Sequence, residues 1–385
     1  MSTTKAWRLL AALFAFALLA AACTSATDDD EAADEQTEAP AEDDSEGSDA
    51  PADEADDEED DGEEDVTLSQ GGSTLDVVKE RGSVVCGSND TLPGFGFTDA
   101  DGEVTGFDAD YCRVVAAAIL GDASAVEFVP LEAAQRFTAL QSGEVDLLIR
   151  NTTWTATRDG AEGATFLNTT FYDGQAMMVR ADSGITAFDG LADAAICVLS
   201  GTTTELNLAS HMGAQGIPFE PLTFDSNDTL RPAFEEGQCE GWTSDASQLA
   251  SFKASIEEAG GDELTILETI ISKEPLGPVV ADGDSQWAQA VEWAVMATIQ
   301  AEEFGLDSGN IASYSGENPE ILRFTGQEDG FDAGLGLPSD FALQAVSQVG
   351  NYAEIYEEHI TPIGLPRSVN SLWSEGGLLY VPPYR

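Results

Sequence analysis

The sequence predicts an α/β protein with two domains, each built on a parallel sheet covered by helices. From residue 84 onward, short apolar segments alternate with amphipathic segments of helical period, and this order is typical of such sheets. The segment 145–149 is nearly all apolar, as expected of a strand buried on both faces. About 310 residues follow the N-terminal region, a length that suits two domains better than one.

The elements of the first domain follow one another at short spacing. The pattern predicts a strand at 83–86, a helix with its apolar face between Phe107 and Ile119, a strand at 126–129, a helix around 137–141 and a strand at 145–149. The polar segment 99–102, between Phe97 and Val104, predicts the turn of an inserted hairpin.

A second alternating series begins near residue 176. Its predicted elements are strands at 194–199, 219–224, 241–243 and 264–271, with helices from Thr203, through 230–236 and after Asp245. Gly277 and Pro278 then break the pattern. A strong helix follows, in which Trp287 and Ile299 belong to one apolar face.

The N-terminus has the form of an export signal. Lys5 and Arg8 precede an apolar run, 9–22, of 14 residues, which is too short to span a membrane. The run ends at Cys23, and the segment resembles a bacterial lipoprotein signal in which this cysteine becomes the lipidated first residue. We therefore expect residues 1–22 to be a signal peptide and Cys23 a membrane anchor. The alternative is a simple secretory signal cut near the alanines.

Residues 23–73 are predicted to be a disordered acidic tether. The stretch 24–65 contains 23 acidic residues and no Lys or Arg, so it cannot bury enough apolar surface to fold. A calcium loop is the alternative, but its best register, which starts at Asp57, would require an acid where Leu68 stands. The acidic run is therefore interpreted as a solvated tether.

Charge and composition exclude several classes of partner. Residues 66–385 carry 13 basic and 49 acidic residues, a formal charge of −36, which argues against nucleic acid and against anionic membrane surfaces. Only two histidines are present, His211 and His359, and no cysteines have zinc-type spacing. We expect neither a metal nor a cofactor.

Four cysteines remain after Cys23, at positions 86, 112, 197 and 239. An exported chain folds where disulfides form, and four cysteines allow three connectivities. The alternative is four reduced, buried thiols.

Two loops that directly follow predicted strands are rich in hydrogen-bond donors. Ligands of open α/β sheets bind at the carboxyl ends of strands, where these loops begin. The loop 151–158 ends in Arg158, whose guanidinium can grip a carboxylate bidentately. The loop 199–205 contains Thr202 and Glu205 in capping-box spacing, which marks a helix start and hence an anion site. The alternatives are a plain helix cap and a solvated arginine.

Several stretches together resemble the polar amino-acid solute-binding proteins of ABC transporters, and most closely their general L-amino-acid-binding subfamily. They are LPGFGF at 92–97, GFD at 106–108, RFTALQSGEVD at 136–146, RNTTWT at 150–155, FYDGQ at 171–175, GTTTELN at 201–207, TSDAS at 243–247, ISKEPLGP at 271–278, GNYAEIY at 350–356 and the segment 373–385. The resemblance covers residues 74–385.

The resemblance implies a type II periplasmic-binding-protein clamshell, in which each lobe has a mixed, mostly parallel sheet with flanking helices. Lobe I would comprise 74–175 and 281–385, and lobe II 176–280. The pairings Cys86–Cys112 and Cys197–Cys239 would then each lie within one lobe. We expect an exported, membrane-anchored monomer that binds a free L-amino acid and delivers it to the permease subunits of an ABC importer.

The resemblance also assigns the ligand contacts. Arg158, with Thr153 and Asn151, would hold the α-carboxylate, Thr202 and Thr203 would complete that grip from lobe II, and Asp245 would pair with the α-ammonium. A zwitterion that leaves water needs such a partner at each end. The expected binding set also includes Gly201, Asn89 and Phe95.

Arg150 is the candidate specificity residue. Strand alternation, if it continues past 149, directs Arg150 to the opposite side from Asn151. By resemblance this position lines the side-chain end of the ligand, so the sequence predicts a preference for glutamate, aspartate, glutamine and asparagine over lysine and arginine. The alternative is that Arg150 pairs with Asp146 or Asp173 and never meets the ligand.

Two other function classes are alternatives to a binding protein. An enzyme on the same fold, resembling a dehydratase of cyclic acids, would need a positioned acid or base in the cleft, and no nucleophile–base set is visible. A sensor domain would be expected to continue into a membrane-spanning or signalling segment. We therefore predict a binding protein and not an enzyme.

Overall fold

The structure is a computed structural model that describes residues 72–384. The predicted signal peptide, Cys23 and nearly all of the acidic tether lie outside the described residues. None of the helices within 72–384 combines the length and the apolar character that crossing a bilayer requires.

Helices and strands alternate as the sequence predicts. The helices are α1 Thr74–Arg81, α2 Phe107–Leu120, α3 Arg136–Gln141, α4 Ala156–Ala161, α5 Thr203–Gln215, α6 Asn227–Glu235, α7 Ala246–Glu258, α8 Ser285–Glu303, α9 Pro319–Phe324, α10 Phe341–Gln348 and α11 Tyr352–His359. The strands are β1 Val84–Ser88, β2 Thr91–Leu92, β3 Gly96–Thr98, β4 Val104–Thr105, β5 Val126–Pro130, β6 Leu147–Leu148, β7 Ala164–Phe166, β8 Phe171–Asp173, β9 Gln175–Arg180, β10 Ala195–Leu199, β11 Glu220–Phe224, β12 Gly241–Asp245, β13 Leu264–Ile266, β14 Glu274–Leu276 and β15 Val279–Ala281.

Two five-stranded sheets have the same internal arrangement. The first has the order β5-β1-β6-β15-β7 and the second the order β11-β10-β12-β9-β13. In each, three strands pair in parallel, and two added strands join through antiparallel pairs. The antiparallel strand next to the parallel set, β15 or β9, is the one by which the chain enters that lobe from the other. The sheets are therefore mixed, with parallel pairing confined to the βαβ part.

The chain crosses between the lobes twice, through β8 and β14, which pair with each other in antiparallel fashion. Gln175 already belongs to the second sheet, and Val279 and Val280 belong to the first. Sheet membership thus places the crossings one or two residues before the predicted boundaries at 175/176 and 280/281.

Two predicted strands are shorter than expected. β6 contains only two residues, because the chain turns away from the sheet after Ile149, whose N–H still donates to Gly87 O at 3.0 Å. β13 stops at Ile266, where the predicted strand continued to 271. The hairpin insertion is confirmed, since β3 and β4 pair across the turn at 99–102.

The core of lobe I lies between the first sheet and the helices α2, α8, α10 and α11. Phe107 is fully buried and its ring contacts five other aromatic rings, those of Phe95, Tyr111, Phe171, Tyr352 and Tyr356. Burial of such side chains is worth roughly 1.5–3 kcal/mol each.

Both predicted disulfides are confirmed. Cys86 on β1 is bonded to Cys112 on α2, and their Cα atoms are 6.1 Å apart. Cys197 on β10 is bonded to Cys239, just before β12, with 5.8 Å between Cα atoms. Each bond joins elements of a single lobe, so neither links one lobe to the other.

Candidate functional site

A small enclosed cavity lies between the lobes, at the ends of the central strands. Its lining comes from both lobes and comprises Ala133, Arg136, Arg150, Asn151, Thr153, Leu199, Thr202, Thr203, Thr204, Ser244, Asp245 and Gln248. Every predicted ligand residue except Gly201, Arg158, Asn89 and Phe95 is in this set. The loops after β6, β10 and β12 therefore meet here, as expected for the carboxyl ends of strands in open α/β sheets.

Asn151 shapes the lobe I wall. Its backbone has a φ of 31°, a left-handed conformation that asparagine adopts more readily than most residues. Its N–H donates to Asp108 Oδ2 at 2.6 Å, and its side-chain oxygen accepts from Asn89 Nδ2 at 2.7 Å. Because the strand has already ended, Arg150 and Asn151 both line the cavity, contrary to the expected alternation.

Three buried arginines converge on the cavity and its mouth. The Nε of Arg150 donates to Leu131 O at 2.6 Å, and Arg158 donates to Thr153 O at 3.0 Å and to Gly201 O at 3.4 Å. Arg136 is 3% exposed, and its Nε has no partner among the described residues.

These three guanidiniums lack anionic partners. Within the described residues, none of them has a carboxylate oxygen within 4.0 Å, and the alternative partner of Arg150, Asp146, pairs with Arg81 instead. Burial lowers the pKa of all three, that of Arg150 to about 10, and repulsion from Arg158 and Arg150 adds to the lowering at Arg136. Desolvated cations that lack a directly paired carboxylate form a site for an anion.

Arg136 was missed as a site residue. In the sequence it appeared only as the first residue of the 136–146 stretch. The signal that could have indicated Arg136 is its position at the start of α3, directly before Phe137. The Phe137 ring lies 5.4 Å from the Arg136 guanidinium and 5.5 Å from that of Arg158, so one ring supports both cations.

The cavity lining also contains a buried carboxyl group, that of Asp245. Asp245 is 5% exposed, and its Oδ1 has no hydrogen-bond partner among the described residues. Burial raises the pKa of Asp245 well above its usual range, and repulsion from Asp173 and Glu274 raises it further. Burial also raises the pKa of Asp173 to about 6. An unpartnered buried carboxyl at this point requires a cation or a proton.

Lobe II contributes the first turn of α5. Thr202 Oγ1 accepts from Glu205 N at 3.1 Å, which confirms the cap, but the Glu205 carboxylate accepts from Gly201 N at 3.1 Å and not from Thr202 N. The N–H of Gly201 is therefore already used. Gly201 has a φ of 69°, and a Cβ there would lie 2.9 Å from Ala134 Cα, so this glycine allows the lobes to approach each other.

Two predicted contacts lie away from the cavity lining. Phe95 is fully buried, with its ring centroid 5.2 Å from that of Phe171, and belongs to the aromatic core of lobe I. A ring packed into the hydrophobic core is not available to the cavity, so this placement does not support the expected contact between Phe95 and the ligand. Asn89 lies one layer behind the cavity, where it orients Asn151.

Outside Arg158 the cleft widens into an outer chamber of about 480 Å³. Arg158, Gly201, Thr202 and Thr203 line its inner end, and Glu162, Leu206 and Asn207 are among the residues farther out. The guanidinium of Arg158 therefore stands between the cavity and this chamber.

The chain is similar in sequence to known proteins. The family described as bacterial extracellular solute-binding proteins, family 3, matches residues 84–306. The glutamate/glutamine/aspartate/asparagine-binding protein BztA of Rhodobacter capsulatus is 45% identical over 318 residues, which is 81% of this chain and 94% of that protein. The general L-amino acid-binding periplasmic protein AapJ of Rhizobium johnstonii is 45% identical over 319 residues, 81% of this chain and 93% of that protein.

A solved structure is similar over the same region. The periplasmic binding protein of an ABC transporter from Brucella ovis, with glutathione bound, superposes with a TM-score of 0.79 and 41% identity. The match covers 82% of this chain and 100% of that one. The two-lobed architecture is thus shared along the whole of the solved chain.

Proposed function

Because the chain belongs to the family 3 bacterial extracellular solute-binding proteins, we propose that it captures free L-amino acids in the interlobe cavity and delivers them to the permease subunits of an ABC importer. Among amino acids, it prefers glutamate, aspartate, glutamine and asparagine. The observation that carries this preference is the set of three buried arginines without counter-charges, facing one unpartnered aspartate. This charge pattern is complementary to a molecule with one ammonium and up to two carboxylates.

The roles follow from the charges. Arg158 binds the α-carboxylate, with Thr153 and the Asn151 amide beside it and the free N–H groups of the first turn of α5 across the cleft. Asp245 binds the α-ammonium. Arg150 binds the side-chain carboxylate or amide, and Arg136 adds positive charge at the same end.

The relatives' names point the same way. The Rhodobacter protein is named for binding the four amino acids proposed here, and the Rhizobium protein for general L-amino-acid binding. Each of these relatives is named as a binding protein, and no catalytic role is proposed.

The proposed location is the outer face of the cell membrane. Export by the signal at 1–22, lipidation of Cys23 and the acidic tether to residue 73 would hold a monomeric clamshell near its importer. The proposed lobes are 74–175 with 281–385, and 176–280. Mass spectrometry of the mature N-terminus of wild type and Cys23→Ser tests the anchor, since only a lipidated cysteine adds acyl mass.

The preference is tested by a thermal-shift panel of the twenty amino acids on wild type and Arg150→Met. We expect the four proposed ligands to stabilise wild type most, because ligand that binds the folded state raises its melting temperature. Arg150→Met should lower the rank of glutamate and aspartate. Equal stabilisation by lysine and glutamate, or an unchanged ranking in the variant, would contradict the proposal.

A second candidate ligand is a γ-glutamyl peptide such as glutathione. The outer chamber of about 480 Å³, continuous with the Arg158 end of the cavity, favours it, since a free amino acid leaves that chamber empty. The Brucella structure holds glutathione. Competition calorimetry of glutathione against glutamate distinguishes the two: displacement at equimolar glutathione supports the peptide, and no displacement supports the free amino acid.

A further inference from the structure

We propose that Glu274 is a positioning residue that sets the direction of the hydrogen bonds at the ammonium end of the cavity. Its carboxylate takes the hydroxyl hydrogen of Thr203, so that Thr203 and then Thr153 present lone pairs, not hydrogens, to the ligand. The inference rests on the proposed function and deepens it. It identifies the groups that make the site prefer a ligand with an α-amino group to one that lacks it.

Glu274 is well placed for this role. It lies on β14, one of the two crossing strands, and is 1% exposed. Its Oε2 accepts from Thr203 Oγ1 at 2.9 Å. Its Oε1 accepts from Asn207 Nδ2 at 2.8 Å and from Ser272 Oγ. A buried carboxylate bonded to three donors on α5 and its own strand is held in one orientation.

The hydrogen count gives the direction. A carboxylate only accepts, so Thr203 must donate its single hydroxyl hydrogen to Glu274. The hydroxyl oxygens of Thr153 and Thr203 are 3.4 Å apart, and Thr203 has no second hydrogen to give. Thr153 is therefore the donor in that pair. Both hydroxyls are left with acceptor sites toward the cavity.

Acceptors suit an ammonium and repel a carboxylate. The hydroxyls of Thr203 and Thr153 therefore act with Asp245 on the α-ammonium. This differs from the α-carboxylate role that the resemblance implies for both residues, and it revises the placement of the Thr153 hydroxyl beside the carboxylate. The carboxylate grip of lobe II then comes from backbone N–H groups at the start of α5. Glu274 also adds negative charge near Asp245, since its repulsion contributes to the raised pKa of that carboxyl.

Glu274→Gln tests the inference because the amide must choose an orientation. Two donors face the Oε1 position and one faces Oε2, so the amide oxygen is favoured at Oε1 and its NH₂ then meets Thr203. Thr203 must accept from that group and so turns its hydrogen toward the cavity. We expect affinity for glutamate to fall about 10-fold or more, and affinity for glutarate, which lacks the amino group, to change less than 3-fold.

Calorimetry on the full chain, with glutarate measured by competition, provides the ratio of the two affinities. Thr203→Val removes the hydroxyl and should reduce that ratio about 10-fold, whereas Thr203→Ser keeps the hydroxyl and should retain it. Glu240→Gln, an exposed lobe II glutamate that accepts from Ala195 N, is the matched control and should match wild type.

The outcomes separate the two proposals. If wild type fails to bind glutamate, the proposed function is wrong for this ligand. If wild type binds glutamate and the glutamate-to-glutarate ratio is unchanged in both Glu274→Gln and Thr203→Val, the role of Glu274 is wrong while the function stands. Should Glu274→Gln not fold, the Thr203 pair of variants decides alone, because Val and Ser differ there in the hydroxyl.

Discussion

Arg158 contacts both lobes through backbone carbonyls, at Thr153 and Gly201, while its charge has no counter-ion among the described residues. A cation held in this way is oriented before any anion arrives, which limits the entropy lost on binding. Arg150 is also oriented before an anion arrives, because its Nε donates to Leu131 O. At this scale, the neighbouring backbone determines where each charge points.

Arg158→Ala should weaken binding of every amino acid ligand. The change removes one member of a buried pair and leaves a carboxylate unpaired, which costs about 2–5 kcal/mol, or roughly 30-fold to several thousand-fold in affinity. Isothermal calorimetry measures it. Arg231→Ala is the control and should bind as wild type, because it removes a pair with Glu235 and a hydrogen bond to Ser255 Oγ, neither of which involves the cavity lining. Near wild-type affinity in Arg158→Ala would overturn the carboxylate assignment.

Asp108 should make folding stability depend on pH. Burial raises its pKa to about 7, against about 3.9 in an unfolded chain. Between these values the folded state holds the proton and the unfolded state has released it. The free energy of unfolding contributed by this group therefore falls as pH rises from about 4 to 7.

Asp108→Asn should remove that contribution, because asparagine keeps an oxygen for the bond from Asn151 N and does not titrate. Chemical denaturation from pH 4 to 7 should show the wild type losing stability relative to the variant, by a few kcal/mol at most. Parallel stability curves would show that Asp108 ionises normally.

Among the elements, the central strands carry both the disulfides and the site loops. β10 holds Cys197 and leads directly into the loop that begins α5, and β1 holds Cys86 beside β6. Cross-links within each lobe stiffen the scaffold behind the cavity without restricting movement between lobes. Rigid elements position a site more accurately than loops alone.

The variant Cys197→Ser with Cys239→Ser should lose stability and keep function. With a sequence separation of 42, the chain-entropy model predicts about 4 kcal/mol, and a little less for the separation of 26 between Cys86 and Cys112. Denaturation curves measure the loss, and calorimetry should find glutamate affinity within a few-fold. A large loss of affinity in the folded variant would indicate that the bond shapes the cavity itself.

At the scale of the whole molecule, a chain of amide and hydroxyl groups joins the lobes. Asn151 Nδ2 donates to Gln248 Oε1 at 3.4 Å, Gln248 Nε2 to Asn227 Oδ1 at 3.2 Å, and Asn227 Nδ2 to Thr91 Oγ1 at 3.4 Å. The chain thus runs from lobe I through lobe II and back to lobe I. The first and last of these bonds cross between the lobes and require the lobes to be together, so they stabilise the closed form.

Thr91→Val should speed ligand release. Thr91 does not line the cavity, and the change keeps its volume while removing the last acceptor of the chain. A neutral hydrogen bond is worth about 0.5–1.5 kcal/mol, so we expect the dissociation rate to rise about 2- to 10-fold. Stopped-flow fluorescence measures it.

Thr105→Val is the matched control, because its hydroxyl bonds to Phe97 O within the same three-stranded hairpin sheet and does not meet lobe II. It should release ligand as wild type does. Identical rates for the two variants would show that the interlobe chain does not stabilise closure.

The sequence by itself determined the fold class, nearly all of the elements and most of the site. Hydrophobic period is a local property, so β1, α2 and α8 could be predicted from their own residues. The positions of the site loops could be predicted from local sequence as well. Where a strand is followed by a helix, the polar turn between them lies at the edge of the sheet.

Only the tertiary structure decided which side chains face each other. Arg136 joins Arg150 and Arg158 because α3 packs beside the loop after β6, and Phe95 lies in the core of lobe I because the rings of Phe107 and Phe171 pack against it. The direction of the Thr203 hydroxyl depends on Glu274, which is 71 residues away. Packing, burial and hydrogen sharing are relations between distant residues, and no local pattern encodes them.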